Sequence, residues 1–151
     1  MTCRNILAPL LPFHYPDALL IELNMDFSQS FELWLETVLA SDVPSTVVAF
    51  SFNLFELDSP DAKYGIELIG ADEFDEDDPD WACAEVWAGT PRSIPIPRTF
   101  EGGNWEDCLR KTSRLIKGQL AKSSGAGAKL KEADAVAIGF VDGDLELIWE
   151  R

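Results

Sequence analysis

ADAVAIGFVDGDLELIW, running from Ala133 to Trp149, holds two apolar runs on either side of an Asp142-Gly143 pair. Asp-Gly between alternating apolar runs is a strong local signal for a β-hairpin with a two-residue loop. Pairing Val141 with Asp144 sets Phe140 opposite Leu145, Ile138 opposite Leu147 and Val136 opposite Trp149, so the six large apolar side chains share a face. Ala137, Gly139, Asp144, Glu146 and Glu150 fall on the other. A slip of one residue would mix the two sets, which is why this register is expected.

Working back from the hairpin, Ser123–Ala128 (SSGAGA) reads as a flexible connector within the domain. Before it, Asn104 stands at the N-cap of a helix whose apolar stripe is Trp105, Cys108, Leu109, Thr112, Leu115, Ile116 and Leu120. Arg110, Lys111, Arg114 and Lys117 lie largely off the stripe, and pairing with the acidic remainder of the chain or plain solvation accounts for them. Gly89–Gly103 holds three prolines and three glycines and reads as a long connection, extended over Ile94–Pro97, and Trp81–Ala88 as a strand. Thr46–Leu57 and Lys63–Gly70 flank a Asp58-Ser59-Pro60-Asp61 turn and predict a hairpin with Val48, Phe50, Phe52, Leu54, Tyr64, Ile66 and Leu68 inward. Asp26 followed by Gln29 is a capping box, opening a helix with Phe27, Phe31, Trp34, Leu35, Val38 and Leu39 on one face. Ala18–Met25 reads as a strand. The order β-α-β-β-β-α-β-β predicts an α+β fold: a mostly antiparallel sheet of about five to six strands with two amphipathic helices packed on it.

The 151 residues suit a single domain spanning 1–151, and 46% hydrophobic content is enough for a core, which excludes global disorder. No apolar run reaches the length of a membrane-spanning helix. Pro9, Pro12 and Pro16 interrupt the apolar start, so no signal peptide is expected. Cys3, Cys83 and Cys108 are odd in number and lack C-x-x-C spacing, which predicts reduced thiols and a cytoplasmic protein.

Charge is the dominant compositional feature. Twelve Lys and Arg against 27 Asp and Glu give a net charge of −15. Residues 1–109 carry 21 acids and four bases, whereas 110–151 carry six acids and eight bases. An acidic field of this size opposes nucleic acid and anionic membranes and favours cationic proteins.

Motifs for chemistry are not found. His14 is the single histidine, in the Pro-flanked segment Pro12–Pro16, with no nucleophile or acid at a recognisable spacing; a structural histidine is the expectation. One histidine and three scattered cysteines do not make a zinc site. The run Ala71–Asp80 (ADEFDEDDPD) lacks the glycine a calcium-binding EF-hand loop requires. Gly125-Ala126-Gly127-Ala128-Lys129 has no Ser or Thr after the lysine, as a phosphate loop would. No catalytic residue, metal or cofactor is therefore assigned, and no enzyme activity is expected.

The residues assigned to partner binding are Asp72, Glu73, Asp75, Glu76, Asp77, Asp78 and Asp80, with Trp81 and Trp87 beside them. Clustered carboxylates can engage several Lys or Arg through charge-assisted bonds, and tryptophans beside them are typical interface anchors. Trp81 and Trp87 share one face of the expected strand, opposite Ala82, Ala84, Val86 and Ala88. If the small residues face the core the tryptophans are outside, and if not they are core.

The closing segment GFVDGDLELIW, the single-domain α+β plan and the acidic charge resemble the immunity proteins of bacterial polymorphic-toxin and contact-dependent inhibition systems. The resemblance covers the C-terminal third of the chain and is structural rather than catalytic. It implies a cytoplasmic antitoxin that binds a cationic toxin C-terminal domain, often a nuclease, and occludes its active surface. The alternative is an acidic protein-binding or regulatory module with no toxin partner. Monomer and dimer are both open.

Overall fold

Asp26 starts a helix as its sequence implies. Its carboxylate accepts from the Gln29 amide (2.9 Å) and the Gln29 side chain accepts from the Asp26 amide (3.2 Å), completing the capping box. The computed structural model describes residues 26–151; the expected strand Ala18–Met25 and His14 lie outside them. In chain order the elements are α1 (Phe27–Ala40), β1 (Ala49–Glu56), β2 (Ala62–Ala71), a 3-10 turn (Pro79–Cys83), β3 (Glu85–Pro97), α2 (Arg98–Glu101), α3 (Trp105–Leu120), α4 (Gly125–Leu130), β4 (Ala135–Phe140) and β5 (Glu146–Glu150).

The strands form one sheet in the order β3-β2-β1-β4-β5. Its central pair β1/β4 is parallel and the other pairings are antiparallel. The α+β expectation holds at this level: a five-stranded, mostly antiparallel sheet with two long helices. Among the described residues, no helix is long and apolar enough to cross a membrane.

Strict alternation on the central strands builds the two faces. Phe50, Phe52 and Leu54 of β1, Tyr64, Ile66 and Leu68 of β2, and Val136, Ile138 and Phe140 of β4 join the α1, α3 and α4 side chains in the main core. The six α1 residues expected on its apolar face are all buried. The opposite face is built from small and polar residues. Ala49, Ala71, Ala135 and Ala137 form a shallow bed there with Ile69. Beside it, Ser51 Oγ donates to Asn53 Oδ1 (2.9 Å) and Asn53 Nδ2 donates to Glu67 Oε2 (2.9 Å). Arg92 Nε donates to Glu67 Oε1 (3.1 Å), and the remaining guanidinium groups form a bidentate pair with Glu85, each bond 2.8 Å. The hydrogen bonds to Glu85, then the charge of Glu67, hold Arg92 even more firmly protonated than usual against the opposing effect of burial. A carboxylate as buried as Glu67 is tolerable only when partnered in this way.

Several expectations are corrected. Trp81–Ala88 is not one strand: a 3-10 turn covers Pro79–Cys83 and β3 begins at Glu85. Gly89–Gly103 is not a connection over most of its length, because β3 continues to Pro97 through irregular pairing with β2; Ile94–Pro97 is extended as read. Prolines lack an amide donor and are tolerated on an edge strand, which is where β3 sits among the described strands. The C-terminal hairpin keeps Val136 opposite Trp149, but a bulge shifts Ala137 to Leu147 and Ile138 to Glu146, and the turn is wider than two residues. Leu145 consequently packs against the small-residue face and Leu147 is exposed.

Ser123–Ala128 is not a flexible connector either. Residues from Gly125 form α4, whose Ala126 amide donates to Glu36 Oε2 of α1 (2.9 Å). Gly127 lies against α3 so closely that a Cβ would stand 1.7 Å from the Gln119 carbonyl oxygen. Cys83 is disulfide-bonded, which corrects the expectation of reduced thiols throughout and removes the thiol argument for a reducing compartment. Cys108 is a free, buried thiol.

Candidate functional site

The segment between β2 and β3 leaves the sheet at Asp72 and returns at Ala84, where the Asp72 amide donates to the Ala84 carbonyl (3.1 Å). Its acids also organise its backbone. Asp75 Oδ1 accepts from the Asp77 amide (2.9 Å), and Asp78 Oδ1 accepts from the Asp80 amide (3.0 Å) at the start of the 3-10 turn. Local carboxylate-to-amide bonds of this kind fix turns without help from distant elements.

Two aromatic rings fasten the loop to the sheet. Trp81 is only 3% exposed and packs on the alanine bed of the second face. Phe74 meets it edge-on at 5.4 Å. Trp81 is thus not a surface anchor, which corrects its assignment to partner contact: the expected strand alternation fails because residues 79–83 are helical. Its role is to position the loop. Trp87 is half-buried, its ring T-shaped against Phe50 at 5.8 Å, so it too belongs mainly to the core. Its neighbour Val86 is exposed.

All seven assigned carboxylates, Asp72, Glu73, Asp75, Glu76, Asp77, Asp78 and Asp80, are exposed. None of them forms an ion pair among the described residues. The patch extends beyond the loop to β5, an edge among the described strands: the carboxyl of Glu76 is held above its ordinary range by Glu150 first, and then by Asp77 and Asp75. Glu150 was not assigned to the site, because only folding brings it beside the run.

Crowding of this kind has a thermodynamic sign. A carboxyl with a raised folded-state pKa binds its proton more tightly in the folded chain, so its contribution to stability is fully present below its unfolded pKa. That contribution is lost as pH rises through the folded value. Glu76→Gln should therefore melt at a higher temperature than the parent at pH 7 and low salt. The gain should vanish at about pH 3, where carboxyls are protonated, and shrink at high salt. Equal melting temperatures at pH 7 and low salt would show that Glu76 and Glu150 do not repel.

No protein-family model, curated protein or solved structure matches the chain.

Among the described residues, the free thiol is not poised to react. The Cys108 thiol is pushed up to about 12 by burial and by the nearby Glu101 carboxylate. A thiol held in that state is a poor nucleophile at neutral pH. The acidic loop presents seven exposed carboxylates and a negative potential, a chemistry that favours guanidinium and ammonium groups.

Proposed function

We propose that the chain is a stoichiometric binding protein that captures a cationic protein domain with its 72–80 loop, and that it serves as the immunity partner of a basic toxin domain, a nuclease being the best-fitting class. One observation carries this reading: seven exposed carboxylates stand without ion-pair partners on a loop that Phe74, Trp81 and two aspartate turns hold in place. Nearby opposite charges within the chain would have quenched the field. No ion pair among the described residues neutralises these seven acids, which leaves their charge available to a partner, and a pre-ordered loop loses less entropy on binding than a mobile one.

Charge supplies rapid encounter and selects for a basic surface, whereas lasting affinity needs buried apolar contact. Val86, exposed next to Glu85 where β3 begins, is positioned to contribute such contact. On this reading the chain does no chemistry and acts by covering the toxin's catalytic surface. The reading places it in the cytoplasm, where a nuclease toxin finds its substrate; the Cys83 bond pulls the other way.

Growth rescue tests the proposal. The C-terminal domain of a large secreted protein encoded beside this chain is expressed with and without it. Abolished toxicity together with a one-to-one complex on purification is the expected result. A toxic domain that remains toxic and uncomplexed in the presence of this chain overturns the immunity reading.

A further inference from the structure

A groove of about 400 Å³ lies between α3 and β5, away from the acidic loop. Trp105, Leu109, Ser113 and Lys117 recur every fourth residue and so form one line along α3; Arg114 flanks that line, and Glu146 of β5 closes the other side. The line has a direction. Its start is apolar, with Trp105 left 52% exposed although its ring meets Phe140 edge-on. Its far end is cationic.

Three features of the groove suit a ligand. The bases were expected either to pair with the acidic remainder of the chain or to be solvated. Arg110 does pair, with Asp107, yet Arg114 and Lys117 have no ion pair among the described residues. Ser113 is only 7% exposed, and its hydroxyl has no hydrogen-bond partner among the described residues. A buried hydroxyl left unpaired costs about 1–3 kcal/mol, so its retention beside a groove is informative. Finally, a large indole face is open to solvent at the groove's apolar end.

We infer that this groove binds a small amphipathic monocarboxylate: the carboxylate lies between Arg114 and Lys117, accepts a hydrogen bond from Ser113, and the apolar tail runs over Leu109 onto Trp105. Ser113 to Trp105 spans eight helical residues, roughly 12 Å along the axis, which matches a chain of medium length. The volume falls within the roughly 300–1,000 Å³ of small-molecule sites. Exposed Glu106 and Glu146 on the rim limit the site to a single anionic group and repel polyanions. The inference does not rest on the toxin reading, because none of these residues belongs to the 72–80 loop.

Octanoate is the probe, titrated into the full chain while the Trp105 indole N–H is followed by NMR, with 1-octanol as the uncharged control. Saturable shifts at or below about 1 mM are expected, with 1-octanol at least about tenfold weaker. Arg114→Gln with Lys117→Gln should weaken octanoate by about tenfold or more, and Ser113→Ala by a few fold. All three side chains project from the surface of α3 or carry no internal bond, so the variants should keep the parent's circular dichroism. No saturable shift up to about 5 mM overturns the inference. So does equal binding of 1-octanol, or unchanged octanoate binding in the double variant, since either would reduce the groove to a non-specific apolar contact.

Discussion

Replacing Asp75, Asp77 and Asp78 by asparagine should slow capture of a basic partner about tenfold at low ionic strength, with little change in dissociation. The choice of asparagine follows from the loop's internal bonds. Asp75 and Asp78 each accept a backbone amide through Oδ1, and an asparagine side-chain oxygen can accept the same bond. The charge is removed and the turn is kept, so a slower association reports electrostatics alone. Lysine at these positions would confound the two, because it cannot accept. Salt separates them again: the Debye length falls from about 10 Å at 0.1 M to about 3 Å at 1 M, so parent and variant rates should converge. Stopped-flow association against the basic toxin domain makes the measurement. Equal rates at low salt would remove the loop from recognition.

Where structure is set locally, it was legible in the residues. The Asp26–Gln29 box and the six-residue stripe of α1 lie within one helix, and both appear as read. The β1/β2 hairpin follows for the same reason, since its turn and alternation are adjacent in sequence. The failures share a cause in distant contacts. Helix α4 depends on Glu36, 90 residues away, and on the close seat of Gly127 against α3; by itself SSGAGA carries no such information. β3 accepts its prolines because of its position at a sheet edge, which only the assembled strand order reveals. For the site, seven exposed carboxylates could be read from the run, but Glu150 joined them only through folding. Trp105 was read as core from its helical phase, yet it opens the groove at the first residue of α3, where little covers it. One signal for the hidden tryptophan was available. Ala135, Ala137 and Gly139 alternate with Val136, Ile138 and Phe140, so the small face of that strand had room for a large side chain to lie over it.

That lodging of Trp81 leads to the largest expected loss of stability. Trp81→Ala empties a nearly closed site on the alanine bed and leaves Phe74 without its edge-on partner. Truncating a buried tryptophan costs about 3–5 kcal/mol, because small, rigid alanines cannot collapse to refill the space. For a chain of this size the melting temperature should drop by roughly 6–20 °C. Trp81→Phe keeps an aromatic ring against Phe74 and should lose less. The two variants also connect stability to recognition. The acids stay exposed in Trp81→Ala, so electrostatic steering survives, but the loop is no longer held and must be ordered on binding. Dissociation should therefore quicken while the low-salt association rate changes little, the reverse of the asparagine variant. Amide exchange at Asp77 and Asp80, whose N–H groups close the loop's two aspartate turns, should accelerate along with it. A Trp81→Ala protein with the parent's melting temperature and amide protection would show that the indole does not fasten the loop. The acidic patch would then owe its shape to the aspartate turns alone.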